Sequence, residues 1–204
     1  MENDYLTLKK EAEAEFTEKR SRFIVYCKPV ATEQEAIDFI NQIRQKHRDA
    51  RHNVYAYIVN DNGNLSQRYS DDGEPQGTGG MPVLDVLAKK GITNACIVVT
   101  RYFGGILLGA PGLVRAYGKA ASKAIEEAGI LEVIKCHEIV VTMPYNLYDK
   151  VNNYFQKREL AAKDSQFGED VTIKFDVPVA LCEGIEKDVI NLTGAVANII
   201  INKI

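Results

Sequence analysis

From Lys135 onward the hydrophobic pattern alternates between period 2 and period 3.6, and the order of the changes leaves few folds open. Residues 138–143 alternate as a strand does, and 145–156 carry helical spacing. Residues 160–166 and 171–177 alternate again around a turn at Gly168, 180–191 return to helical spacing, and 195–201 read as a last strand. A βαββαβ order in about 70 residues predicts the ferredoxin-like split βαβ arrangement, an antiparallel sheet with two helices on one face. That leaves residues 1–134 for a first domain, with a short linker near 132–136.

The first strong element of that domain is the β-branched and aromatic run at residues 21–27, closed by Pro29. Thr32-Glu33-Gln34-Glu35 then supplies a capping box, and Ile37, Ile40 and Ile43 recur at helical spacing toward Arg48. The basic end of this helix, with Arg44, Lys46, His47, Arg48 and then Arg51, complements the helix dipole, a better explanation than ligand binding. Residues 53–59 and 65–69 read as a hairpin around the turn at 60–64. Met81-Pro82 opens a helix running to about Lys90, with Pro at its first position, and 94–100 is the near-continuous apolar run of a buried strand. A long helix from about Leu113 to Glu127 follows, ended by Gly129. The expected class is therefore α+β in two domains, 1–134 and 135–204.

Charge narrows the function classes. Residues 1–130 hold 17 Lys+Arg against 17 Asp+Glu and residues 131–204 hold 8 against 11, for a net charge of −3. Attraction to nucleic acid or an anionic membrane would have to come from a local patch, and no DNA sequence specificity is expected. No apolar run approaches the ~20 residues of a membrane span, and Met1-Glu2-Asn3-Asp4 is acidic where a secretory signal is basic; a cytoplasmic location is the expectation. Cys27, Cys96, Cys136 and Cys182 lie at least 40 residues apart, which excludes CxxC chemistry and predicts reduced core thiols.

Two segments are candidates for chemistry. In Arg101-Tyr102-Phe103-Gly104-Gly105-Ile106-Leu107-Leu108-Gly109-Ala110-Pro111-Gly112, glycines allow close backbone approach, and the following helix turns its unpaired N–H groups toward the loop. Arg101 and Arg115 flank it as potential partners of one phosphate, and Tyr102, Phe103 and Tyr117 offer faces for stacking. An anion or RNA site at Arg101, Tyr102, Gly104, Gly105, Gly109, Gly112, Arg115 and Tyr117 competes evenly with a packing role in which the arginines pair with Asp71 or Asp72. Neither a P-loop nor a GxGxxG fingerprint fits, since Gly118-Lys119 falls inside the helix and no Ser or Thr follows to hold magnesium.

The second segment, Asp71-Asp72-Gly73-Glu74, offers three carboxylates for a cation or for acid–base work, with His52 as the accompanying imidazole. Asp-Asp-Gly is also ordinary turn chemistry, and with no EF-hand spacing neither a metal nor a cofactor is expected. His47 and His137 read as helix-end and linker residues. No GxSxG elbow or Ser/His/Asp order supplies a nucleophile.

Together, His52-Asn53-Val54-Tyr55-Ala56-Tyr57, Arg68-Tyr69-Ser70-Asp71-Asp72-Gly73-Glu74-Pro75-Gln76-Gly77-Thr78 and Arg101 to Gly109 with Gly112-Leu113-Val114-Arg115-Ala116-Tyr117 resemble the YigZ/IMPACT family, without departure in the three motifs. The resemblance covers about residues 21–128, and the C-terminal segment is similar to the second domain of bacterial members. It implies an N-terminal domain similar to domain IV of elongation factor G and to a domain of a small-subunit ribosomal protein, and a C-terminal domain similar to domain V of that factor. Eukaryotic relatives regulate translation by competing for the activator of a starvation-response kinase, a partner system that does not transfer to a bacterial-type chain. The leading expectation is a non-catalytic RNA- or ribosome-associated factor. An enzyme for a small phosphorylated or carboxylated metabolite is the alternative. A protein-binding regulator is the third reading, favoured if the same residues are consumed in internal ion pairs and an exposed apolar patch appears instead.

Overall fold

The computed structural model describes residues 4–61 and 63–203. Met1, Glu2 and Asn3 of the acidic N-terminus and Asn62 of the hairpin turn lie outside them. The chain divides into two α+β units at the Val133/Ile134 boundary.

The first unit contains β1 (Tyr5–Leu8), β2 (Ala12–Glu18), β3 (Ser21–Pro29), α1 (Glu33–Lys46), β4 (His52–Asp61), β5 (Asn64–Ser70), α2 (Gly80–Lys89), β6 (Ala95–Tyr102), α3 (Ala110–Ala128) and β7 (Ile130–Val133). Five strands form an antiparallel sheet in the order β2-β3-β6-β4-β5, and β1 pairs separately with β7. Both faces of the sheet are covered, which is why β3 and β6 are nearly continuously apolar. On one face Phe23, Val25, Cys27, Val54, Ala56, Ile97 and Val99 pack with Val83 and Leu87 of α2 and with Leu113, Tyr117 and Ala121 of α3. On the other, Ile24, Tyr26, Tyr57 and Val98 pack with Ala36, Phe39, Ile40 and Ile43 of α1.

Details differ from expectation for local reasons. Ile37 is exposed, and Phe39 takes its place in the apolar stripe of α1. In the capping box Thr32 accepts from the Glu35 N–H at 3.2 Å, while Glu35 Oε2 reaches one residue further back, to the Ala31 N–H at 2.7 Å. Pro82 is not the first residue of its helix, because α2 starts at Gly80. A Cβ on Gly80 would lie 2.7 Å from the Ser70 carbonyl oxygen, so only glycine fits there.

The second unit contains β8 (Cys136–Met143), α4 (Tyr145–Gln156), β9 (Ala162–Phe167), β10 (Val171–Pro178), α5 (Val179–Thr193) and β11 (Asn198–Asn202). Its antiparallel sheet has the order β11-β8-β10-β9, the ferredoxin-like topology. Ile139, Val141, Ile173 and Phe175 form its core with Val151 and Phe155 of α4 and Ile185 and Val189 of α5, and Phe155 stacks on Phe175 at 3.7 Å. His137 lies in β8 opposite Val177 rather than in a linker. Cys27, Cys96 and Cys182 are buried thiols and Cys136 is half-buried; burial pushes the Cys27 thiol up to about 11. No described helix is long and apolar enough to cross a membrane.

Candidate functional site

The end of β6 assembles the site. Antiparallel pairing places Arg101 opposite His52 on β4 and Phe23 on β3. With a strand period of 2, Arg101 extends the Ile97–Val99 row and His52 extends the Val54–Ala56–Ile58 row. Two polar residues thus continue the core rows to the end of the sheet, on the face covered by α2 and α3. The loop after β5 then brings its carboxylates to the same end.

Those three carboxylates part company. Asp71 turns to the start of α2, where Oδ1 accepts from the N–H groups of Gly79 at 2.9 Å and Gly80 at 2.8 Å, and Oδ2 from Gly77 at 2.8 Å. It supplies the cap that Gly79, with no side chain, cannot. Asp72 Oδ2 accepts from the Asn53 N–H at 2.6 Å and Oδ1 from Arg44 at 3.2 Å. Glu74 alone points inward. Its Oε1 accepts from Arg101 Nη1 at 2.6 Å and from the Tyr117 hydroxyl at 2.8 Å, and lies 3.8 Å from His52 Nε2. Burial, with Glu74 beside it, pushes the Tyr117 phenol far above its usual range and keeps it a donor. His52 Nδ1 donates to the Asp72 carbonyl oxygen at 2.7 Å.

Above this buried cluster opens a cleft of about 300 Å³, lined among others by Arg51, Pro75, Phe103, Leu107 and Leu108. Phe103 is exposed, with the Arg51 and Arg101 guanidinium groups 5.7 and 5.5 Å from its ring centroid. Ile106 and Leu107 are exposed beside it, Leu107 to 81%. Leu108 is the wall shared with a second recess of about 260 Å³, where Lys19, Arg115 and Lys119 gather around one carboxylate, Glu18. Lys119 lies 3.9 Å from Glu18, and no described carboxylate forms an ion pair with Arg51, Arg115 or Lys19.

The two sequence segments therefore meet, but with a different division of labour from the one expected. Arg101 is buried against Glu74, and Arg115 lies across Leu108 in the other recess, so the two do not converge in one cavity. Tyr117 is wholly buried, edge-on to Phe23, and has no free face. Tyr102 points to the α1 side, where its hydroxyl meets His47 Nδ1 at 2.9 Å and Asp49 at 3.1 Å. Gly104 is dictated by packing, since a Cβ there would lie 2.0 Å from the Arg20 carbonyl oxygen; Gly105 and Gly109 adopt positive φ, and Gly112 packs on Leu108. Leu107, Leu113, Lys19 and Lys119 line the two recesses without having been among the expected site residues. The signal for Leu107 was there, three aliphatic residues in a row bracketed by glycines. That for Lys19 and Lys119 was not, because their meeting depends on the β2–β3 turn lying against α3.

Comparison with known proteins now decides the family. Residues 19–125, just over half the chain, match the Impact N-terminal domain. The chain belongs to the IMPACT family. Residues 141–195 match a domain of unknown function, DUF1949. This IMPACT chain is 40% identical over 171 residues to the IMPACT family member YvyE of Bacillus subtilis, covering 84% of this chain and 78% of that one. With the IMPACT family member YigZ of Escherichia coli it shares 41% identity over 110 residues, 53% of this chain and 54% of the relative. A crystal structure of a hypothetical protein superposes with a TM-score of 0.63 at 25% identity, covering 98% of each chain.

Proposed function

We propose that this IMPACT family chain is a non-catalytic RNA- or ribosome-associated factor that regulates translation, with loop 103–109 and the cations on either side of it as its contact surface. The observation that carries the reading is the exposed Phe103 and Leu107 beside Arg51, with Arg115 and Lys19 across Leu108, three cations that form no ion pair with a described carboxylate. Uncommitted guanidinium and ammonium groups beside an aromatic face suit a phosphate backbone with unstacked bases. Internal neutralisation of Arg101 by Glu74, and of Asp71 and Asp72 by backbone N–H groups and Arg44, leaves these residues structural duties in place of catalytic ones. The resemblance of the family's domains to those of elongation factor G points the same way.

The test is co-sedimentation with ribosomes at low and high salt. Association that falls with salt, and weakens in the Arg51→Ala/Arg115→Ala double variant, supports the proposal; no association at low salt contradicts it. A protein-binding regulator is the second reading. It is favoured by the exposed Phe103, Ile106 and Leu107 together with the internal pairing of Arg101. Salt-insensitive association that is lost in Leu107→Asp would select it.

A further inference from the structure

Gly112, Arg115 and Lys119 recur at helical spacing along α3, and the β2–β3 turn brings Lys19 to them, closing the recess on the far side of Leu108 from the cleft. The turn is fixed in place. Pairing of Glu18 with Ser21 leaves only Lys19 and Arg20 in it, and both adopt left-handed φ, 44° and 64°, where glycine or asparagine is the usual occupant. The same turn is pinned to the loop after β6: the Gly104 N–H donates to Ser21 Oγ at 3.3 Å, and the Arg20 carbonyl oxygen packs where only a glycine at 104 leaves room. Lys119 is held as well, 4.7 Å from the Phe16 ring centroid and 3.9 Å from Glu18. The cations are therefore arranged before any ligand arrives.

The charge of the recess selects its guest. Lys19, Arg115 and Lys119 against Glu18 leave two positive charges in about 260 Å³, and neither Lys19 nor Arg115 forms an ion pair with a described carboxylate. Gly112 lines the recess too, and its N–H, in the first turn of α3, has no acceptor inside the helix. A carboxylate or an internal phosphodiester brings one negative charge and leaves the recess half neutralised. A terminal phosphomonoester brings close to two at neutral pH, with three oxygens free to accept from guanidinium and ammonium groups. Exposed Phe103, in the cleft that shares the Leu108 wall, supplies a face for the base that a nucleotide phosphate carries. A phosphorylated serine or threonine has no such ring to offer.

We infer that this recess binds the terminal phosphate of a single-stranded RNA, through Lys19, Arg115 and Lys119. The inference rests on the RNA reading above and names the part of the strand that is held there. The test follows the fluorescence anisotropy of one short single-stranded RNA, labelled at an internal position, as the full chain is added at fixed low salt. The RNA carries a 5′-phosphate, a 3′-phosphate or hydroxyls at both ends, and a phosphoserine peptide is titrated as competitor. At least one phosphorylated RNA is expected to bind about tenfold tighter than the unphosphorylated strand, a comparison that needs no substitution in the protein. The variant Lys19→Gln/Arg115→Gln, changed at exposed positions only, is expected to bring the three RNAs to equal affinity with an unchanged melting temperature. Equal affinity of the three RNAs for the wild type, or a phosphate preference that survives the double variant, overturns the recess and leaves the RNA reading standing. A phosphoserine peptide that binds more tightly than the phosphorylated RNA overturns it in favour of a protein ligand. No binding to any of the three RNAs at low salt removes the RNA reading, and this inference with it.

Discussion

Glu74 Oε1 accepts from a guanidinium and a phenol at once, and all three side chains are buried. A buried ion pair of this kind contributes little net stability, yet removing one partner strands the other charge. Arg101→Ala should therefore destabilise the first unit by about 3–5 kcal/mol in urea unfolding. Replacing Glu74 and Arg101 together by apolar residues of similar size should cost well under the sum of the single changes, a result a double-mutant cycle reads directly. On the opposite face of the sheet, His47 bridges the hydroxyls of Tyr26 at 2.7 Å and Tyr102 at 2.9 Å. Burial, with Lys46 beside it, holds its imidazole below the ordinary range. A lowered folded-state pKa means that the unfolded chain takes up the proton first on acidification. The His47 contribution is complete above the unfolded value of about 6.5 and is lost as pH falls below it toward the folded value. Melting temperature should drop between neutral and mildly acidic pH by more in the wild type than in His47→Gln. Equal slopes would remove His47 as the cause.

At the scale of elements, what was legible depended on how pure the periodicity was. Residues 145–156 and 171–177 could be placed because their apolar positions match a single period, and β3 and β6 because strands covered on both faces are apolar throughout. β2 was not foreseen, since Ala12-Glu13-Ala14-Glu15 is made of strong helix formers. What makes it a strand is pairing with β3, with Phe16 stacked on Phe23 at 5.1 Å. β1 and β7 were missed for another reason: each is four residues long and takes its strand character from distant pairing, with each other and, for Leu6 of β1, with Ile92. The start of α2 shows the same limit, because its cap comes from Asp71, nine positions before Gly80 in the chain. Asp71→Ala removes the acceptor for three N–H groups and should cost about 2 kcal/mol, at the upper end of single-cap losses. Chemical denaturation measures it, and loss of the α2 start should appear as faster amide exchange at Gly77, Gly79 and Gly80.

For the whole molecule, a net charge of −3 makes long-range attraction to RNA negligible, so binding has to arise from the few cations around loop 103–109. The candidate residues were legible as two motifs, but their roles were not. Whether Arg101 meets a ligand or Glu74, and whether Tyr117 faces solvent or the core, is decided by strand register and by the row each side chain extends, and neither is written in local sequence. Arg115 is the residue on which the RNA reading depends most, being exposed, on the first turns of α3, and without an ion-pair partner among the described residues. The most direct measurement is the affinity of the full chain for a labelled single-stranded RNA across a salt series, wild type beside Arg115→Ala. The logarithm of the binding constant should fall linearly with the logarithm of salt concentration, and the substitution should reduce that slope by about 0.7, the share of one phosphate contact on a single strand. An affinity indifferent to salt, or a slope unchanged without Arg115, would contradict a phosphate-binding surface at this loop.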